Sequence, residues 1–191
     1  MKTELKVIRH FIESRKPATI RDIAKRIKAD YKITYTATQR LIQKNILDVQ
    51  DVGNSSLCRL NEDYYSIEIY ETENQRREGI LKNKNLNQLY REIMSKIKTS
   101  SFILLLFGSY AKRKQTKSSD IDMLCVSNEK DFESRISDIL SLLPLKIHAL
   151  VFREEEFIRM KDSKKPSVVH EIMEKNIILY GIEAYYRLKN A

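Results

Sequence analysis

The first sixty residues carry three hydrophobic stripes with the spacing of amphipathic helices. Apolar side chains recur every three or four positions in residues 4–14, 19–27 and 34–45, which places them on one face of each helix. Thr19 and Thr34 are the first residues of the second and third segments, and threonine is a common N-cap because its hydroxyl accepts a hydrogen bond from a free backbone N–H. The pattern therefore predicts three short helices in this part of the chain.

A hairpin follows, and then strands and helices alternate to the end of the chain. Two short segments flank Gly53-Asn54 and predict a β-hairpin formed by residues 47–52 and 56–60. The remaining sequence contains no internal repeat and no linker rich in proline or glycine. The predicted strands there are residues 102–107, 121–126, a segment around His148, and 177–181; the predicted helices are residues 71–78, 86–97, 132–143, 155–161, 168–175 and 182–188.

The clearest chemical signal lies between two of these strands. The apolar run 102–107 ends at Gly108-Ser109, and after ten intervening residues the chain reads Asp120-Ile121-Asp122. Side chains alternate along a strand, so the two aspartates are expected to project from the same face. Two carboxylates so close together repel unless a cation lies between them. A glycine turn with exposed N–H groups and a serine hydroxyl suits a phosphate. The combination predicts a site for a metal-bound triphosphate.

These residues resemble the signature of the nucleotidyltransferase superfamily that includes DNA polymerase β, especially its small members, the minimal nucleotidyltransferases. The family pattern G-S-x-A-x-G…S-D-I-D-L reads here as GSYAKR from Gly108 to Arg113 and SDIDM from Ser119 to Met123. Arg113 stands where the family has its second glycine, which puts the shape of the loop in question. The resemblance covers about residues 101–160.

The resemblance implies both an activity and a set of site residues. Asp120 and Asp122 are expected to bind divalent metal ions, Mg²⁺ or Mn²⁺, and the substrate is expected to be an NTP, with ATP preferred. A two-metal site of this kind clamps the attacking and leaving oxygens of an in-line displacement. The residues expected to contact the nucleotide, including its leaving pyrophosphate, are Gly108, Ser109, Lys112, Arg113 and Ser119.

The third acidic residue of the family pattern is missing. Members of the family carry it on the following strand, where it helps to hold a metal and deprotonates the attacking hydroxyl. Counting back from Glu156-Phe157 places His148 at that position. An imidazole can ligate a metal or act as a base, but in its neutral form it brings no negative charge. His148 is therefore either a catalytic residue or the mark of a site that binds nucleotide and turns over poorly.

The positive charge is concentrated near the start of the chain. Residues 1–60 hold 13 Lys and Arg against 6 Asp and Glu, so most of the net charge of +9 lies in this segment. Three helices followed by a hairpin resemble a winged helix-turn-helix, whose third helix enters the major groove of duplex DNA. The residues expected to read bases are Tyr35, Thr36, Thr38, Gln39 and Gln43, with Lys32, Arg40 and Lys44 near phosphates; the alternative is a solvated face on a protein-docking module.

The expected fold class is α+β, with a winged helix-turn-helix in residues 1–62, a connecting segment in 63–85 and a polymerase-β-like nucleotidyltransferase domain, a small mixed sheet flanked by helices, in 86–191. The tail from Phe157 on resembles archaeal-type nucleotidyltransferases fused to N-terminal winged helices. The expected function is transfer of a nucleoside monophosphate from an NTP to a hydroxyl of a protein, an RNA or a small molecule, coupled to DNA binding.

Two alternatives and several partners stay open at this point. The alternatives to a nucleotidyltransferase are a DNA-binding transcriptional regulator and an antitoxin-like partner, either with a degenerate nucleotide site. Resemblance to antitoxins that modify HEPN-type toxins makes such a toxin one candidate partner and tRNA another, and a homodimer is also compatible. No apolar run is long enough to cross a bilayer, and Cys58 and Cys125 match no metal or redox motif, so a cytoplasmic protein with free buried thiols is expected.

Overall fold

The computed structural model describes residues 2–53, 55–116 and 118–191. The chain divides into two compact units, Met1–Asn74 and Gln75–Ala191. The division falls within the predicted connecting segment 63–85, inside a helix that begins in the first unit and ends in the second. The limits of the domains proposed from the sequence remain a prediction.

The first unit contains three helices and a two-stranded antiparallel sheet. Its apolar core includes Ile8, Ile23, Leu41 and Leu47, all almost fully buried. The backbone of Ala18 exchanges two hydrogen bonds with Cys58, so a short extended segment lies along the outer side of the hairpin. The elements are α1 (Thr3–Ser14), α2 (Ile20–Ile27), α3 (Tyr31–Gln43), β1 (Leu47–Val52) and β2 (Ser55–Leu60), and α4 (Ile67–Ile80) follows them.

Helix α3 begins three residues before the predicted cap. The side chain of Asp30 accepts hydrogen bonds from the backbone N–H groups of Lys32 and Ile33, so Asp30 caps the helix and Thr34 lies within it. The Thr34 hydroxyl bonds to the carbonyl of Asp30 and the Thr38 hydroxyl to that of Thr34. Both threonines are buried. The predicted cap at Thr34 and the solvent exposure expected of Thr38 as a base-reading residue were therefore wrong.

The second unit is a mixed four-stranded sheet flanked by helices, in the order β5-β4-β3-β6. Strand β4 pairs antiparallel with β3 and parallel with β5, while β6 is antiparallel to β3. This is an α+β arrangement consistent with a polymerase-β-like domain. Its elements are α5 (Lys84–Lys96), β3 (Ile103–Leu106), α6 (Gly108–Ala111), β4 (Ile121–Val126), α7 (Phe132–Ser141), β5 (Ile147–Phe152), α8 (Glu154–Lys161), α9 (Val168–Glu174), β6 (Ile177–Tyr180) and α10 (Ile182–Asn190).

The two faces of this sheet are covered differently. Alternate residues of β3 and β4, among them Leu104 and Met123, share a hydrophobic cluster with α5 and α7. Residues between them face the other side, where α10 contacts β3 and β6. Burial raises the pKa of the Cys125 thiol to about 12, so this cysteine is a packing residue within β4. No described helix has the length and apolar content needed to cross a membrane.

Candidate functional site

The end of β3 brings Gly108 against Asp122. The backbone N–H of Phe107 donates to the carbonyl of Asp122 at 3.0 Å, which continues the β3–β4 ladder to the edge of the site. Gly108 then adopts φ +63°, in the left-handed region that favours glycine. A Cβ atom at Gly108 would lie 2.0 Å from Asp122 Oδ2. Glycine is therefore required here both by the backbone conformation and by the carboxylate beside it.

The two aspartates occupy different environments. Asp122 is the second residue of β4 and its side chain is half-buried, whereas Asp120 is exposed and lies just before the strand. The expectation that both project from one strand is thus met only by Asp122. Ile121 and Met123 point into the cluster beneath α5 and α7, so the Asp122 carboxylate lies on the opposite face of the sheet.

His148 is the direct neighbour of Asp122 across the parallel β4–β5 pair. Its Nδ1 lies 3.6 Å from Asp122 Oδ1, and its side chain is 62% exposed against 27% for Asp122. Paired residues of parallel strands share a face, so the imidazole and the carboxylate open to the same solvent-accessible region. The sequence count that placed His148 beside the aspartate pair agrees with this geometry.

The segment after Gly108 contributes a hydroxyl and two basic side chains. Ser109 is half-buried, and Lys112 is exposed and forms an ion pair with Glu171 of α9 at 2.7 Å. Arg113 has φ +54°, a conformation that glycine adopts more readily than arginine. The loop thus keeps the positive φ that a glycine would favour, although an arginine occupies the position.

Ser119 closes a tight turn immediately before Asp120. Its Oγ accepts the backbone N–H of Thr116 at 2.8 Å, and its own N–H donates to the Thr116 carbonyl at 3.2 Å. The hydroxyl therefore has a structural role in the loop that leads to the aspartates. Glu171 was not anticipated from the sequence, because it lies 59 residues from Lys112 and no local pattern connects the two.

The residues around Asp122 suit a divalent cation in their chemistry. Carboxylate oxygens are the ligands that Mg²⁺ and Mn²⁺ prefer, and the carboxylate of Asp122 lies close against Gly108. Within residues 2–53, 55–116 and 118–191, no three His, Cys, Asp or Glu side chains converge as a preformed metal cluster. A metal here would be completed by ligands from the nucleotide, because triphosphate oxygens commonly supply part of the coordination of Mg²⁺.

In the first unit, α3 presents most of its predicted contact residues to solvent. Arg40 forms an ion pair with Glu4 at 3.2 Å and Lys44 with Glu68 at 2.5 Å. The hydrogen bond to Glu68 raises the pKa of Lys44. Of the predicted set, the exposed members are Lys32, Tyr35, Thr36, Arg40, Gln43 and Lys44; Gln39 is half-buried and Thr38 is buried.

Comparison with known proteins supports the assignment for the second unit. Residues 91–184 match the family model described as Polymerase beta, Nucleotidyltransferase. The match includes Gly108, both aspartates and His148, and it supports a nucleotidyltransferase domain over this part of the chain. Neither the curated proteins nor the solved structures contain a significant match.

Proposed function

We propose that the protein transfers a nucleoside monophosphate from an NTP, with ATP as the expected donor, to a hydroxyl group in a metal-dependent reaction. The observation that carries the proposal is the contact between Gly108 and the Asp122 carboxylate. The contact places a carboxylate, which can bind a metal ion, directly beside the bare backbone of Gly108 at the end of the buried strand β3. The family match over residues 91–184 supports the same chemistry.

Different residues of the site would bind the metal ion, contact the phosphates and stabilise the leaving pyrophosphate. Asp120 and Asp122 would hold the divalent cation, which supplies a clamp for the attacking and leaving oxygens when bound. Gly108 and Ser109 would approach the phosphates, with Ser119 holding the loop before Asp120. Lys112 and Arg113 are the basic side chains nearest in sequence to this turn. Stabilisation of the leaving pyrophosphate by such side chains is electrostatic. Lys112 must exchange its Glu171 partner to act in this way.

His148 is the residue that we expect to limit the rate of transfer. We expect His148→Asp to raise the rate of transfer while leaving nucleotide affinity nearly unchanged, because a positioned base acts mainly on the chemical step. The added carboxylate would face Asp122, now 3.6 Å from the imidazole, so the variant should be less stable without metal and regain stability with Mn²⁺. Single-turnover rates and thermal unfolding with and without Mn²⁺ measure both effects.

His148→Asn is the matched control for this prediction, because asparagine has the shape of aspartate without its charge. Wild type should work better with Mn²⁺ than with Mg²⁺, since Mn²⁺ accepts an imidazole ligand more readily. A His148→Asp variant that is slower than wild type would mean that the histidine itself is the working base or ligand. If both proteins are inert with every acceptor, the alternative of a DNA-binding regulator or antitoxin-like partner with a degenerate site gains support.

A second activity, binding of duplex DNA, is proposed for the first unit. Residues 1–60 carry most of the positive charge, and α3 exposes hydroxyl, amide and basic groups along one face. These are the groups that read base edges and hold phosphates, and the order of three helices and a hairpin resembles that of a winged helix-turn-helix. Arg40 and Lys44 would exchange their ion pairs with Glu4 and Glu68 for phosphate contacts.

We expect the full chain to bind duplex DNA with an affinity that falls steeply as salt rises, because each phosphate contact releases counterions. Arg40→Ala and Lys44→Ala should weaken binding to all sequences and lower the salt slope by about 1, whereas Gln39→Ala should alter sequence preference. Lys98→Ala, an exposed lysine of the second unit, is the control and should change little. Fluorescence anisotropy at several salt concentrations measures this. Absence of binding at low salt would favour a protein-docking role.

A further inference from the structure

Strand β5 forms an edge of the sheet that the described chain leaves uncovered. None of its six residues is buried, whereas the other edge strand, β6, is almost entirely buried. Beside β6, the guanidinium of Arg76 donates to the carbonyl of Asn176 at 2.6 Å, and that of Arg77 reaches the carbonyl of Leu179 at 3.5 Å. The part of the chain that the structure describes places no strand on the outer side of β5.

The hydrogen-bonding direction of β5 can be read from its ends. The carbonyls of Lys146 and Phe152 accept N–H groups from Ile121 and Ser127, so these even-numbered positions face β4. Backbone groups alternate along a strand, so the N–H and C=O groups of residues 147, 149 and 151 point away from the sheet. An open row of this kind is a template for pairing with another extended chain.

A groove runs beside this edge between β5 and α7. A cavity of about 530 Å³ is lined mainly by apolar side chains, among them Leu140, Leu143 and Ala149, and also by His148. It adjoins a second cavity of about 680 Å³ with which it shares Glu133, Ser137 and Val151. The second cavity has a net negative lining, since one basic residue, Arg153, stands against five acidic ones: Glu129, Asp131, Glu133, Asp138 and Glu156. The groove is therefore apolar near the candidate site and negatively charged at its far end.

We propose that the edge of β5 binds an extended polypeptide segment of the acceptor protein as a fifth strand. This inference rests on the proposed transfer reaction and names its acceptor as a protein hydroxyl. The open N–H and C=O groups match an extended peptide, while the acidic cavity would repel the phosphates of a nucleic acid. The alternating side chains of the added strand would enter the apolar groove on one face and reach the side of His148 and Asp122 on the other.

The same geometry sets the spacing expected in the acceptor segment. His148 lies four residues before Phe152 along β5, a distance of about 13 Å at the rise of a strand. Because side chains alternate along a strand, a residue three positions from a hydroxyl residue beside His148 would project from the other face, toward α7 and the acidic cavity. A basic residue is favoured there by charge complementarity.

A labelled peptide with the sequence Arg-Arg-Val-Thr-Val-Tyr-Val tests this surface with the full chain and without nucleotide. We expect it to bind in fluorescence anisotropy. N-methylation of one set of alternate amides should weaken it by about tenfold or more, because two or three backbone hydrogen bonds are lost. N-methylation of the other set should have little effect, since those amides would face solvent. Weaker binding of both methylated peptides, or of neither, would overturn the proposal that the peptide pairs with β5 as a strand.

Variants of the protein test whether the peptide binds at β5. Glu133→Lys should weaken binding, whereas Glu174→Lys, an exposed glutamate of α9, should not. Ala149→Pro should also weaken it, since proline removes an outward N–H without touching the ladder to β4. A protein that is dimeric in solution and becomes monomeric on Ala149→Pro would show that a second copy occupies the edge, and would overturn the proposal.

Separate measurements keep this proposal distinct from the transfer reaction on which it rests. ATP with Mn²⁺ is titrated without peptide, and the peptide is titrated without ATP. Nucleotide binding that depends on Asp122, together with no peptide binding under any condition, would overturn the β5 surface alone. Peptide binding that follows the pattern of variants, together with no nucleotide binding, would leave the surface in place and overturn the transfer function.

Discussion

The Gly108→Ala variant should lose nucleotide binding while it still folds. The added methyl group would lie 2.0 Å from Asp122 Oδ2 and 2.9 Å from Asp122 Cγ, so the carboxylate must rotate out of its position. Because the clash is with the end of a side chain, the displacement falls on the site more than on the sheet. The positive φ at this position adds a cost of about 1–2 kcal/mol to the free energy of folding. Isothermal titration with ATP and Mn²⁺ measures the loss, and thermal unfolding measures the stability.

Gly79→Ala is the matched control for this variant. Gly79 lies within α4, and a Cβ atom there meets nothing within 4 Å. Alanine should therefore stabilise the helix by about 0.5–1 kcal/mol and leave nucleotide binding unchanged. Wild-type affinity for ATP in the Gly108→Ala variant would contradict the placement of the nucleotide beside Asp122.

The second large effect is expected from Asp120→Asn combined with Asp122→Asn. Removing an outer-shell partner of a metal ligand commonly costs about 10–100-fold in activity, so loss of both proposed ligands should lower transfer by more than about 100-fold. ATP with Mg²⁺ should stabilise the wild type by mass action, by about 2.7 kcal/mol at a hundred times the dissociation constant. The double variant should show no such stabilisation.

Thermal unfolding with and without ATP and Mg²⁺ measures the stabilisation directly. Asp162→Asn, an exposed aspartate at the end of α8, is the control and should respond as the wild type does. An equal rise in melting temperature in the wild type and the double variant would rule out a metal-bound nucleotide at this site.

Most secondary-structure elements were predictable because their signals are local. The strand Ile121–Val126 begins and ends where the short apolar run placed it. Helix α3 was misplaced at its start because Asp30 and Thr34 are both capping residues, and only the tertiary packing that buries Thr34 and Thr38 decides between them. The face that α3 offers to solvent changed as a result, and Thr38 is no longer a candidate for contact with DNA.

The candidate site was predictable as far as its parts are close in sequence. Gly108 and Asp122 were found from the spacing of the motif, and His148 from its position relative to Glu156-Phe157. The structure places all three close together. The ion pair of Lys112 with Glu171 could not be predicted, because it depends on where the tertiary fold places α9. The open edge of β5 was equally hidden, since an edge strand is defined by the absence of a neighbour and not by its own residues.

The most direct test of the account compares ATP labelled at the α-phosphate with ATP labelled at the γ-phosphate. Each is incubated with the wild-type protein, Mn²⁺ or Mg²⁺, and a cell extract that supplies acceptors. Transfer of a nucleoside monophosphate predicts covalent labelling from the α-phosphate alone, release of pyrophosphate, and neither event with the Asp120→Asn, Asp122→Asn double variant. Labelling from the γ-phosphate, or equal α-labelling by wild type and double variant, would contradict the account.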